Sequence, residues 1–484
     1  MNSAFSRRVK IVTTLGPAVA GRERLRELLL AGADMVRINA AHGSADDRAK
    51  LIEDVRAASD DVGQFVPILF DLRGLKIRTG PLAGDEPVPV ARGSVVDVYP
   101  TPIPTEQGQV GIDYPDLLAV LHPGSRVLIS DGLIELMVDR IERERAVCVV
   151  GRGGLLLSKQ GVTLPGAPIT GGALTKDDRE DVGFASQHGV EFLGLSFIHD
   201  AGDLLMARGV AGAHSQTPPA LIAKIERSEA LENVREIAQQ ADALMVARGD
   251  LGVQLPPERV PRAQKEIIGV ANNLGVPVIT ATQMLESMIT QPMATRAETN
   301  DVANAVWDGT DAVMLSAETA VGKYPIEAVQ TMHRIIVEAE RDGPIRTAAA
   351  EHPLPTGKDV TLAFADAIAR ATFALSETAP AEHIVVFTLT GAAARRVAKY
   401  RPRPPIIAVA TEQEVARRLN LVWGVRAVVV PIETDPDQMF RIAGRAIVDA
   451  GLAAQDEYAL MVGSLPMHRV AGRTNLVHVR KLGT

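Results

Sequence analysis

The 484-residue chain has a single cysteine, Cys148. One thiol makes neither an internal disulfide nor a thiolate metal cluster, so any metal must be held mainly through oxygen. Aromatic residues amount to only 4%, too few for the stacking platforms of a single-strand binder. Basic residues do not outnumber acidic ones; the net charge is −8, which argues against a general nucleic-acid binder. No apolar run approaches the roughly 18 residues of a membrane span. Gly16 and Pro17 arrive too early to leave room for a signal peptide's apolar core. The expectation is a cytoplasmic protein with neither nucleic acid nor membrane as partner.

What is present is ordinary globular composition, 46% hydrophobic and 23% charged. At about 150 residues per domain, the length suggests three domains. Eight short apolar runs recur through residue 346, at 9–16, 35–39, 66–72, 191–197, 220–226, 243–250, 276–282 and 312–319. They read as buried parallel strands because they are apolar on both faces. Amphipathic helical stretches follow most of them, and eight strand–helix units point to a (β/α)8 TIM barrel. A doubly wound open sheet is the alternative left by the pattern alone. Residues 80–170 interrupt it with Pro and Gly clusters and short Val-rich runs, as expected of a small β domain inserted into a barrel loop. Such a lid would overlie the C-terminal ends of the strands. A polar stretch precedes a second α/β pattern. The domains read as 1–79 with 171–346 for the barrel, 80–170 for the lid and 347–484 for a C-terminal α/β domain.

Six of the strand ends are polar, and in a barrel these ends converge on one pocket. They carry Arg37 and Asn39; Asp71 and Arg73, with Lys76 and Arg78 beyond; Lys224 and Glu226; Arg248 and Asp250; Thr280 and Thr282; and Ser316, Glu318 and Thr319. Glu226 and Asp250 are hard oxygen donors suited to Mg2+ or Mn2+. Arg37, Arg78 and Lys224 suit phosphate oxygens. A divalent cation among fixed positive charges is what phosphoryl transfer requires. His42 is the one histidine near these ends, and no nucleophile–His–acid set stands out. Residue by residue, this reads as a metal-dependent enzyme for a small phosphorylated carboxylate, with the reaction left open.

The segments KIVTTLGP (10–17), MVRINAAHG (35–43), FDLRGLKIRTG (70–80), KQGVTLPG (159–166), LIAKIE (221–226), MVARGDLG (245–252), TATQMLESM (280–288) and AKYRPRPPIIAV (398–409) resemble the pyruvate kinases, in family order over nearly the whole chain. The resemblance implies a TIM barrel with a β lid and a C-terminal regulatory domain. It implies transfer of phosphate from phosphoenolpyruvate to ADP, giving pyruvate and ATP. It places Glu226 and Asp250 on the divalent metal, Lys224 on the phosphoryl group in flight, and Arg37 and Arg78 on the phosphate side. Thr282 and the backbone of Gly249 and Asp250 would hold the substrate carboxylate. Thr282 would also lie near the face where the enolate is protonated. Asn39, His42 and, from the lid, Lys159 would lie toward the nucleotide. A homotetramer is the implied assembly.

The chain departs from the family pattern at its K+ site. Asn39 and Asp71 remain, but the Ser position is Ala41, the Thr position Leu72 and the Glu position Lys76. The expectation is that Lys76, paired with Asp71, supplies the charge that K+ supplies elsewhere, so that K+ is not required. In the C-terminal domain the effector loop reads TLTGAAAR (388–395). Thr388, Thr390 and Gly391 remain while later hydroxyl positions are alanine, and a phosphorylated effector is expected there.

Overall fold

Strands apolar on both faces are stable only when both faces are covered, and here closure and an outer ring of helices cover them. In the computed structural model, which describes residues 6–84, 86–169, 174–342, 360–465 and 473–483, eight parallel strands form a closed barrel. They are Lys10–Thr14, Met35–Asn39, Ile68–Asp71, Phe192–Leu195, Ala220–Ile225, Ala243–Ala247, Val278–Ala281 and Ala312–Leu315. We refer to them as barrel strands one to eight. Strand one pairs with strand eight, Lys10 opposite Ala312, which excludes the open sheet. The domain cuts at 170/171 and 346/347 lie outside the described residues.

Two strands end earlier than the apolar runs suggest. The run 243–250 turns helical at Arg248 (Arg248–Gln254), and the run 312–319 at Ala317 (Ala317–Ala320). Arg248, Asp250, Glu318 and Thr319 are therefore presented by short helices rather than by strands. Three barrel helices begin with reciprocal capping boxes, Ser44 with Asp47, Thr175 with Asp178, and Thr295 with Glu298. Each satisfies two otherwise orphaned N–H groups. Asp178 does more: its Oδ1 accepts from Gly74 N at 3.1 Å and anchors the chain leaving strand three.

The lid carries a six-stranded sheet and a two-stranded one between Val88 and Thr163, with its own core around Val98, Val110, Ile129, Leu136 and Cys148. The chain entering the lid bonds to its last hairpin: Thr79 N donates to Gln160 O at 2.8 Å, and Gln160 N to Thr79 Oγ1 at 2.9 Å. The C-terminal sheet has four parallel strands, Val425–Val429, Ile406–Ala410, His383–Phe387 and Tyr458–Gly463 in spatial order, closed by antiparallel Leu476–Lys481.

This last domain is seated in the floor of the barrel. Leu421 packs with Val12, Met35, Leu69, Ile222, Met245 and Ile279 in the barrel interior. Around it Arg401 donates to Asp311, Asn272 and Gly309, and its guanidinium lies 4.9 Å over Trp423. Asp34 pairs with Arg7 and Arg426 at 2.6 and 3.0 Å. Burial works against the Asp34 charge, but Arg7, Arg426 and Lys10 outweigh it and hold its carboxyl below the usual range. Among the described residues no helix is long and apolar enough to cross a membrane.

Leu421→Ala leaves a cavity where the two domains meet. It is expected to cost roughly 2–5 kcal/mol in denaturant-induced unfolding. An unchanged unfolding curve would show that this side chain does not support the barrel floor.

Candidate active site

At the opposite, C-terminal end of the strands lies a cleft of about 810 Å3 lined by Arg37, Asn39, His42, Asp71, Arg73, Lys76, Arg78, Ser196, Lys224, Glu226 and Asp250, among others. Four strand ends and the first turn of the Arg248–Gln254 helix supply these groups. Asp71 is their hub. It is 1% exposed, flanked in register by Asn39 and Gly194. A Cβ on Gly194 would sit 2.7 Å from Asp71 Oδ1, so glycine is needed there to leave room for the carboxylate. Arg37 reaches Asp71 Oδ2 through Nε and Nη2 at 2.7 and 2.6 Å, and Lys224 Nζ stands 3.3 Å from Oδ1. Burial works against the Asp71 charge, yet Lys224 and Arg37 hold its carboxyl below the ordinary value.

Lys224 is also 2.8 Å from Glu226 Oε1 and donates to Ser196 Oγ at 2.7 Å. Desolvation opposes its ammonium, but Asp71 and Glu226 prevail and raise it above the usual lysine range. Glu226 is 1% exposed. Burial, reinforced by the Asp250 carboxylate, pushes its carboxyl up to about 7 against the pull of Lys224 and the Phe197 N–H. Asp250 is half-buried and its carboxylate makes no hydrogen bond or ion pair among the described residues. Two carboxylates that repel each other in a cation-lined cleft suit one divalent ion. No group of three or more His, Cys, Asp or Glu forms a metal cage among the described residues, and Mg2+ commonly takes only one or two carboxylates, completing its shell with substrate and water oxygens.

Several expected site residues stand elsewhere. Gly249 and Thr282 do not line the cleft; Gly249 N donates to Thr282 Oγ1 at 2.8 Å, and that hydroxyl donates to Ala281 O at 2.6 Å. Thr282 and Gln283 both have positive φ, +69° and +55°, uncommon for residues with a Cβ. Arg248 braces this turn, donating to Ala281 O and Thr282 O at 3.2 and 2.6 Å and pairing with Asp301 at 2.7 Å. Thr280 is buried, donating to Thr310 Oγ1, and Glu318 is buried, accepting from Leu285 N and Ser316 N. Lys159 is exposed on the lid; its N–H donates to Gly80 O at 3.2 Å and its carbonyl accepts from Arg78 Nη1 at 3.0 Å. Thr388, Thr390 and Gly391 form the loop between strand His383–Phe387 and helix Ala392–Ala398 of the C-terminal domain, remote in topology from the barrel mouth, and the Thr388 hydroxyl accepts from Gly391 N at 2.9 Å.

The expected pairing of Lys76 with Asp71 is not formed. Leu75 and Ile77 face the lid core, and the strand-like alternation turns Lys76 and Arg78 the other way, into the cleft. Lys76 is exposed, with its Cε 3.6 Å from the place a Cβ on Gly161 would take. Both Asp71 oxygens already face Arg37 and Lys224, and Asn39 Oδ1 accepts from Ala41 N at 3.0 Å.

Two strand ends contribute unannounced. Strand one offers Thr14, whose Oγ1 accepts from Arg37 at 3.2 Å. Strand four is followed by Ser196 and Phe197, which hold Lys224 and Glu226. The polar Ser196 directly after an apolar run was the available signal.

A closed (β/α)8 barrel whose mouth gathers two carboxylates and several fixed cations defines an enzyme of phosphoryl chemistry. Family models for the pyruvate kinase barrel domain and the pyruvate kinase alpha/beta domain match residues 6–329 and 366–480. The chain is 39% identical to the pyruvate kinase of Geobacillus stearothermophilus over 477 residues, covering 98% of this chain and 80% of that protein. It is 39% identical to that of Mycobacterium intracellulare over 479 residues, covering 99% of each. A crystal structure of a pyruvate kinase from Cryptosporidium parvum superposes with a TM-score of 0.92 at 33% identity, covering 99% of this chain and 96% of that one. The chain belongs to the pyruvate kinase family and is an enzyme of the kinase class.

Asp71→Asn would leave Arg37 and Lys224 facing each other without their shared anion. A cost of roughly 3–5 kcal/mol is expected. In the parent protein the Asp71 contribution, from a carboxyl lowered on folding, is complete above about pH 4 and lost as pH falls. The variant's stability profile should therefore fall less steeply on the acid side. Equal acid limbs in urea titrations would sink this account.

Proposed function

We propose that this chain transfers the phosphoryl group of phosphoenolpyruvate to ADP, yielding pyruvate and ATP. The observation that carries the reading is the convergence of Arg37, Lys224, Glu226 and Asp250 on one cleft in a member of the family. Arg37 and Lys224 present fixed positive charge to the phosphoryl oxygens, and Asp71 keeps both from repelling each other out of place. Glu226 and Asp250 would hold Mg2+ or Mn2+, which when bound neutralises substrate oxygens and lowers the electrostatic barrier to transfer. Thr282 and the N–H groups of Gly249 and Asp250 take the substrate carboxylate once their mutual hydrogen bond is exchanged for it.

A second, largely apolar cavity of about 760 Å3 adjoins the first. It shares Arg37, Asn39 and His42 and adds Pro17, Ala320 and Val321. This suits the nucleoside of ADP, leaving Arg78 and, after lid closure, Lys159 for its phosphates. Lys76 supplies positive charge to the cleft without a direct partner in Asp71, and K+ is not required. The same reading carries a cytoplasmic homotetramer with a lid over 80–170 and a phosphorylated effector at the Thr388–Gly391 loop.

The test is initial velocity with phosphoenolpyruvate, ADP and Mg2+ in buffer whose only monovalent cation is tetramethylammonium, then with K+ added. Near-full velocity without K+ is expected. Strong activation by K+ would remove Lys76 from this role. No velocity in either buffer would overturn the assigned reaction.

A further inference from the structure

Lys224 Nζ donates to Ser196 Oγ at 2.7 Å and lies at ion-pair distance from Glu226 Oε1, 2.8 Å, and Asp71 Oδ1, 3.3 Å, the last of which accepts no hydrogen bond. The two carboxylates keep the ammonium charged, but each also repels an approaching phosphoryl group. Ser196 differs. It is neutral, 4% exposed, and its own proton is committed to Leu72 O at 2.9 Å. That commitment turns an oxygen lone pair toward Lys224.

The neighbouring residue holds the neighbouring group. Phe197 N donates to Glu226 Oε2 at 2.7 Å from a backbone with φ +55°, a conformation an aromatic residue adopts only when its surroundings impose it. Gly74 leaves room for this turn: a Cβ there would meet Phe197 Cδ2 at 2.8 Å and Ser196 Cβ at 2.9 Å. One turn after strand four thus touches both Lys224 and Glu226 while packing on the chain that leads to the lid.

We propose that Ser196 is a positioning residue for Lys224, the neutral acceptor that aims the ammonium at the transferring group without adding negative charge beside it. The proposal rests on the assignment of Lys224 to the phosphoryl group made above.

Ser196→Ala is expected to lower kcat about 10- to 100-fold, the scale set by misplacing a catalytic group. KM for phosphoenolpyruvate should change less than about threefold, since the phosphate-side Arg37 is held by Asp71 and Thr14 rather than by Ser196. Mn2+ affinity, titrated on the protein without substrate, should be unchanged, because the Phe197 N–H still fixes Glu226. Ser196→Thr, which keeps Oγ, should restore most of kcat. Wild-type kcat in Ser196→Ala would overturn the proposal. So would a loss of Mn2+ affinity and thermal stability in step with kcat, which would mark a merely structural serine. Lys224→Gln separates the two layers. If it is inactive while Ser196→Ala is normal, only the role of Ser196 falls; if it retains full kcat, the assignment of Lys224 falls and takes this proposal with it. Adding Ser196→Ala to Lys224→Gln should cost nothing further.

Discussion

The arrangement of the cleft depends on one buried anion. Arg37 and Lys224 project from strands two and five into the same mouth, and each disfavours the other's charge. At an effective dielectric near 20, two such charges about 4 Å apart interact by about 4 kcal/mol. Asp71, on strand three, lies within 3.3 Å of both and turns that repulsion into a bridged set. The bridge exists because the strand beside it carries Gly194, where any side chain would collide with the carboxylate. The absence of a side chain on strand four thereby leaves room for the anion that bridges two cations on strands two and five, and through Lys224 the set reaches Glu226.

The two ends of the barrel are built differently. The floor is built of paired groups: Leu421 fills its centre, and Arg401, Asp311, Asp34 and Arg426 tie the C-terminal domain around it. The mouth is open, half-polar, and bounded by short helices and positive-φ turns at Phe197, Thr282 and Gln283. Stability and chemistry are thus separated along the barrel axis, as the fold allows. The lid above this mouth keeps a separate core.

Much of the barrel was legible because its signal is local. Runs such as VRIN and LIAKI are short, apolar and rich in β-branched residues, and their spacing announces strand–helix units. Glu226 and Lys224 could be placed on one side of strand five by the twofold period alone. Other features depend on contacts between distant segments. The apolar run continues through Arg248–Asp250 and so overshoots the strand end at Ala247, where the helix takes over. Thr280 and Thr282 share the same alternation, yet Thr310 draws the first into the core while Arg248 braces the turn that carries the second. Ser196 follows an apolar run as visibly as Asn39 does, but its meaning comes from Lys224, 28 residues away.

Lys76 shows where the boundary lies. The sequence by itself determined which groups are available: the carboxylates, the cations, the glycines that permit close approach, and the replacement of three K+-site positions by Ala41, Leu72 and Lys76. It also determined the alternation that buries Ile77 and turns Lys76 toward the cleft. Only the tertiary structure decided who pairs with whom. Asp71 lies five residues from Lys76 but pairs with Arg37 and Lys224, 34 and 153 residues away. Register across a closed sheet sets Arg37 on the strand beside Asp71 and Lys224 one strand beyond Gly194 on the other side, and electrostatic interaction falls with distance in space rather than along the chain.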